Sequence, residues 1–239
     1  MIKLNPQGGN YMSLHGWLNI KSLIGLCLLS ICSLASAAIQ LQQTRMVYPE
    51  GEPSVALVIK NNDATHSVAI ESWVKSDQGA LIIKPSATII KPAAKGVINI
   101  HIHDNGKNNE ESLYWLSIKG VPLEKSTSSK PVAITVINRI KVFYRPQSLI
   151  AGAADAYKQI SVSRCAKQIT IKNPTPYYVT FYSFKIDNQE VTRAQMIAPY
   201  GELLMPQPTA GQKNRASWQS IADSGFRTPS RLKKITTGC

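Results

Sequence analysis

The residues best equipped for chemistry are cations set inside apolar, strand-like sequence. Arg45 stands in the stretch Ala38 to Tyr48, and Arg139, Lys141 and Arg145 punctuate the run Arg139-Ile140-Lys141-Val142-Phe143-Tyr144-Arg145-Pro146. A cation in mid-strand normally snorkels to water, so two strands of this kind are the most informative feature of the chain. Other candidates are weaker. His101 and His103 fall on one face of a strand, but a metal needs a third ligand, and nothing marks one. Gly106-Lys107 lacks the upstream glycine and following hydroxyl of a phosphate loop. No nucleophile elbow, H-E-x-x-H pair or dinucleotide fingerprint occurs. The expectation is a protein that is not an enzyme and uses no metal or cofactor.

The elements that must position these cations are short and alternating. Hydrophobic residues make up 44% of the 239 and charged residues 17%, a globular balance. Ser54–Asn61 puts Val55, Leu57 and Ile59 on one face. Gly96–His103 sets Ile98, Ile100 and Ile102 against Asn99, His101 and His103. Leu113–Ile118 and a long strand, Pro131–Tyr144, follow. Turn signals at Pro49-Glu50-Gly51, Asn61-Asn62-Asp63, Asp77-Gln78-Gly79 and Asp104-Asn105-Gly106 separate the strands. This spacing predicts an immunoglobulin-like sandwich.

Gln147–Ala156 reads as a linker rich in small residues. Gln168–Lys172, Tyr177–Lys185, Gly201–Met205, Ala216–Ile221 and Leu232–Thr237 then read as strands of a second, smaller sandwich. The fold class is therefore all-β, two tandem immunoglobulin-like domains, with boundaries at 38–147 and 148–239.

Residues 1–37 read as an export signal. Lys3 and Lys21 precede an apolar run from Leu23 to Leu34 and the small-x-small site Ala35-Ser36-Ala37, with Met1 or Met12 as the start. The run is short for a membrane span. Of four cysteines, Cys27 and Cys32 fall in this segment, which leaves Cys165 and Cys239 as one disulfide. Closing so long a loop contributes roughly 4 kcal/mol in the chain-entropy account. A net charge of +13 raises a second reading, a polyanion-binding module using Arg227, Arg231, Lys233 and Lys234, but no aromatic platform accompanies these cations. A third, a secreted metal-dependent hydrolase, has only the two histidines in its favour.

Taken together, the motifs resemble the periplasmic pilus chaperones of the chaperone–usher pathway. Gln43-Thr44-Arg45-Met46-Val47-Tyr48-Pro49 looks like the family's first strand, and Lys141-Val142-Phe143-Tyr144-Arg145-Pro146 is close to its end-of-domain motif. Asn109-Glu110-Glu111-Ser112-Leu113-Tyr114-Trp115, with Ile118 and Val121-Pro122, is similar to its signature region, and Asn173-Pro174-Thr175-Pro176-Tyr177-Tyr178 also fits. Ser117 and Leu123 depart from the usual pattern. The short loop Val121–Pro131, with no cysteine pair in the first domain, looks like the short-loop branch that builds rod-like pili.

The resemblance implies an L- or boomerang-shaped pair of domains in the periplasm. It implies that Val132, Ile134 and Val136 enter the open groove of a pilus subunit, burying enough for about 5 kcal/mol before ordering costs. Arg45 and Lys141 would bind the subunit's C-terminal carboxylate, and Glu111, Arg145 and Asp223 would form an interdomain ionic cluster. The implied partners are pilus subunits and an outer-membrane usher, with no nucleic acid and no stable membrane insertion. An unpaired apolar edge also invites a self-capped dimer.

Overall fold

The computed structural model describes residues 39–75, 80–103, 109–123, 135–166, 168–192, 195–206 and 214–238, with the side chains of 80 and 103 excepted. The proposed signal segment, Val132, Ile134 and Cys239 lie outside them. In chain order the first domain carries β1 (Ile39–Leu41), β2 (Arg45–Pro49), β3 (Val55–Asn61), β4 (Val68–Lys75), β5 (Ala80–Lys84), β6 (Ala87–Ile90), β7 (Lys95–His103), β8 (Ser112–Pro122) and β9 (Val136–Arg145). The second carries β10 (Ser161–Cys165), β11 (Gln168–Lys172), β12 (Val179–Ile186), β13 (Gln189–Glu190), β14 (Met196–Ile197), β15 (Glu202–Pro206), β16 (Arg215–Ser220), β17 (Arg231–Lys234) and β18 (Thr236–Thr237).

Each domain is two sheets face to face. The first stacks β1-β3-β7-β5 on β2-β9-β8-β4-β6, and the second stacks β15-β11-β10-β18 on β13-β12-β16-β17, with β14 beside β12. Period-two alternation explains both cores. Leu57, Ile59, Ile98 and Ile100 from one sheet meet Ile70, Tyr114, Leu116, Ile140 and Val142 from the other. In the second domain Phe184 stacks on Trp218 at 5.7 Å between ring centres, and the Trp218 indole N–H donates to the Tyr157 carbonyl at 2.9 Å. Each of these side chains is buried.

Four differences from the sequence reading have physical causes. Ala38–Tyr48 reads as one strand, yet β1 pairs antiparallel with β3 while β2 pairs parallel with β9 in the opposite sheet. Gln42–Thr44 carries the chain across, because Ile39 packs in the core from one sheet and Met46 and Tyr48 from the other. Strands β5 and β6 were not read from the sequence. Each is short, and exposed Ile82 and Ile89 adjoin inward-facing Ile83 and Ile90, so apolar residues fall on both faces and residue type does not alternate. Gln147–Asp155 is a 3₁₀ helix running into an α-helix, α1 (Ala156–Gln159), where a linker was expected. Small residues and Pro146 just before the first turn favour it. Finally, β8 runs four residues beyond Ile118, to Pro122, as β4 pairs it throughout.

Both domains fix a loop with one fully buried asparagine. In the first, Asn61 Nδ2 donates to the carbonyls of His66, Ile90 and Lys91 at 2.9, 3.2 and 3.0 Å. In the second, Asn173 Nδ2 donates to the carbonyls of Tyr177 and Ala198 at 2.7 and 2.9 Å, and its Oδ1 accepts from the Thr175 amide and hydroxyl. Cys165, at the end of β10, is disulfide-bonded.

Because buried polar groups left without partners are costly, Asn173→Ala is expected to lower stability by about 3 kcal/mol. Urea unfolding checks this as a shifted midpoint at unchanged slope; a loss under about 1 kcal/mol would contradict the assignment.

Candidate functional site

The site forms where β2 begins. Parallel pairing sets Arg45 directly opposite Lys141, and on the other side of β9 Lys141 lies opposite Trp115 of β8. The three side chains therefore stand in one row across three strands, on the face turned away from the core.

The two cations differ in their surroundings. Arg45 is buried, and its guanidinium reaches into the second domain. Nη2 donates to Thr180 Oγ1 at 2.8 Å, and Nη1 donates to the carbonyls of Ile221 and, at 3.2 Å, Ala222. The guanidinium carbon lies 4.8 Å from the Phe143 ring centre. Burial pushes the Arg45 pKa down, while the charges of Asp223 and Glu111 oppose that shift. Lys141 is half-buried and, among the described residues, has no hydrogen-bond acceptor. Its ammonium lies 5.5 Å from the Trp115 ring centre. Burial, then the charge of Arg45, hold its pKa below the usual lysine range.

Beside this row the interdomain ionic cluster is assembled around Arg145. Its Nε donates to Glu111 Oε1 at 2.7 Å, and Nη1 and Nη2 donate to the two oxygens of Asp223 at 2.6 and 3.0 Å. The free Glu111 oxygen accepts from the Tyr178 amide at 2.8 Å, while the Glu111 amide donates to the Pro176 carbonyl. Glu111 thus joins β8 to the loop before β12, and Arg145 joins β9 to the loop after β16. Burial pushes the Glu111 carboxyl up, with Arg145 and the Tyr178 amide pulling the other way. For Arg145, burial lowers the pKa, but hydrogen bonds to Asp223 and the charge of Glu111 outweigh it. Phe143 and Tyr178 add an aromatic contact at 5.7 Å across the same junction.

An open strand edge completes the site. β9 pairs with β8 from Val136 to Tyr144, but β2 covers its other side only from Lys141 to Arg145. Among the described residues no strand pairs with that side of Val136–Ile140, because β1 belongs to the opposite sheet. A hollow of about 340 Å³ lies there, bordered by Ile39, Leu41, Gln43 and Thr44 on one side and Asn138, Arg139 and Ile140 on the other. Val136 and Ile137 are exposed on the same half of β9. A second hollow, of about 560 Å³, lies between the domains and is bordered by Arg45, Arg145, Thr180 and Asp223 but not by Lys141.

The other candidates lie elsewhere. The His101 ring nitrogen Nδ1 is 2.9 Å from the Pro53 carbonyl. Among the described residues no group of three or more His, Cys, Asp or Glu is placed to hold a metal ion. Arg227 lies 3.6 Å over the Tyr182 ring, Lys233 donates to the Ile160 carbonyl, and Arg231 and Lys234 are exposed on β17. Sequence reasoning missed Thr180, the Ile221 and Ala222 carbonyls and Trp115. Of these, only the tryptophan inside the signature region was visible as a residue type worth placing.

Fold and site together define a two-domain sandwich with an unfinished sheet edge that ends at two cations. A model of the pili and flagellar-assembly chaperone PapD N-terminal domain matches residues 38–150, and one of the pili assembly chaperone PapD C-terminal domain matches residues 155–232. The chain belongs to this family of pilus-assembly chaperones. It is 30% identical over 207 residues to chaperone protein FimC of Escherichia coli O6:H1, covering 83% of this chain and 85% of that one. It is 30% identical over 200 residues to chaperone protein FocC of Escherichia coli, covering 80% and 88%. The crystal structure of the periplasmic chaperone SfaE aligns with a TM-score of 0.66 at 26% identity, over 84% of this chain and all of the other (100%). A structure of Salmonella enterica SafA pilin in complex with the SafB chaperone aligns with a TM-score of 0.75 at 17% identity, over 84% and 97%, and supports the fold alone.

The unlike surroundings of the cations predict unlike stability effects. Arg45→Met leaves three acceptors of the second domain without their donor and is expected to cost about 2 kcal/mol. Lys141→Met removes a charge that burial disfavours and should leave stability unchanged or raised. Equal destabilisation of both variants in urea unfolding would contradict this assignment.

Proposed function

We propose that this chain is a periplasmic chaperone that caps pilus subunits by lending them a strand and passes them to an outer-membrane usher, with no catalytic step. The observation that carries the reading is the half-paired edge of β9, which ends where Arg45 and Lys141 face each other. Strand addition satisfies an exposed edge by backbone hydrogen bonds, and alternate side chains supply the fit. In the sequence Val132, Ile134 and Val136 recur at the two-residue spacing of one strand face, so these three are the residues proposed to enter the subunit.

The proposed placement also implies a direction. A strand filling the edge beside Val136–Ile140, with its C-terminal carboxylate at Lys141, runs from the 136 end toward the 141 end. It therefore lies parallel to β9 and stops where β2 begins, as though β2 had been extended backward. Charge-assisted hydrogen bonds hold such a carboxylate strongly, and anchoring it sets the register of the strand pair. Arg45 keeps two of its five N–H donors beyond those given to Thr180, Ile221 and Ala222. Lys141 keeps all three. The Glu111–Arg145–Asp223 cluster is assigned to setting the domain angle at which the two cations present themselves, in keeping with the registry role of buried ion pairs. Residues 1–37 are proposed as the export signal, and 38–147 and 148–239 as the two domains of the mature chain.

Co-purification from periplasm with a pilus subunit tests the reading. Wild type is expected to retain the subunit one-to-one, and Lys141→Ala to lose it, at a cost of about 2–5 kcal/mol in binding. Full recovery with Lys141→Ala would contradict the anchor. The pH dependence has a definite sign. Carboxylate binding favours charged Lys141, whose pKa in the free protein is depressed. Affinity should therefore fall as pH rises through that depressed pKa. Lys141→Arg should abolish the alkaline fall, since guanidinium stays charged; the same fall in both proteins would assign it to another group.

A further inference from the structure

We propose that Trp115 is a positioning residue for Lys141, holding the ammonium in place on the sheet face before any ligand arrives. The inference rests on the reading of Lys141 as a carboxylate anchor and adds to it how that anchor is kept ready.

Three observations carry it. First, Lys141 sits between Arg45 and Trp115 in one row across β2, β9 and β8, where directly opposed side chains lie within contact range. Second, Arg45 is occupied by the second domain, whereas the Trp115 ring, 5.5 Å away, is the aromatic face beside the Lys141 ammonium. Third, Arg139, two residues back on the same face of β9, has its guanidinium carbon 4.5 Å from the centre of the same ring. One indole therefore serves two cations that would otherwise repel each other and drift apart into solvent.

A ring face attracts a cation through its quadrupole, most strongly when the ring is an indole. A free lysine chain samples many rotamers, and freezing it on binding is costly. A tryptophan that already confines the chain removes part of that cost. The aliphatic stems of Arg139 and Lys141 could also pack on apolar bulk without a ring, so the test must separate the aromatic face of Trp115 from its bulk. The separating variants follow directly. Trp115→Phe keeps an aromatic face, and Trp115→Leu keeps apolar bulk without one.

The test uses the whole mature protein and two short synthetic peptides of alternating valine and threonine, one ending in a free carboxylate and its twin ending in an amide. Calorimetry gives affinities, and NMR gives the shifts of the Lys141 methylene protons next to the ammonium. Wild type and Trp115→Phe should prefer the free acid and show these protons shifted upfield by the ring. Trp115→Leu should lose roughly three- to tenfold in affinity for the free acid only, with the protons at ordinary lysine positions. Equal loss for both peptides, unchanged binding of the free acid, or unshifted protons in wild type would each overturn the proposal. If wild type does not distinguish acid from amide, the anchor reading fails by itself, and the proton shifts still decide whether the ring holds Lys141.

Discussion

Much of this structure follows from the way the chain changes sheets between Leu41 and Arg45. A strand that stayed beside β9 for its full length would finish the sheet and leave nothing to bind. Instead β1 pairs with β3, and β2 joins β9 only from Lys141 onward. The crossing has two consequences at once. Among the described residues it leaves the backbone of Val136–Ile140 without a strand partner on one side, and it brings Arg45 to the spot where that edge stops. An exposed edge is normally a hazard that proteins cover or charge. Here the covered half is held by parallel pairing and the open half ends at cations, which suits a strand ligand that terminates in a carboxylate.

The electrostatics of the junction then divide the labour. Arg145, flanked by Glu111 and Asp223, and Arg45, bonded to Thr180 and two carbonyls, tie the domains together. Both guanidinium groups have planar, multiple donors that suit such bridging. Lys141 is the cation left with its charge available, and burial together with Arg45 keeps that charge disfavoured until an anion comes. The site thus joins cations that fix geometry, Arg45 among them with two N–H donors to spare, to a lysine without a hydrogen-bond acceptor among the described residues.

The sandwich class was legible because period-two alternation at Leu57, Ile59, Ile98 and Ile100 is a local signal. The cations were legible because Arg45 and Lys141 interrupt apolar strands. Their roles came from resemblance of the flanking motifs to a family, not from spacing. The sheet change was hidden, since Ile39, Met46 and Tyr48 are each apolar and buried whichever sheet they belong to. The partners of Arg45 were also hidden. A backbone carbonyl at Ile221 carries no side-chain signature, and only tertiary structure brings it to the guanidinium. Strands β5 and β6 escaped because exposed Ile82 and Ile89 blur the alternation that a half-buried strand should show.

The central claim is that a subunit strand completes the β9 edge beside Val136–Ile140. Amide hydrogen exchange, compared between the free protein and its co-purified subunit complex, tests it most directly. Strand addition predicts strong new protection within Val136–Ile140 and little change in Val142–Arg145, which β2 already covers. Protection that appears instead on the β5, β6 or β17 edges, with Val136–Ile140 exchanging as in the free protein, would contradict the account.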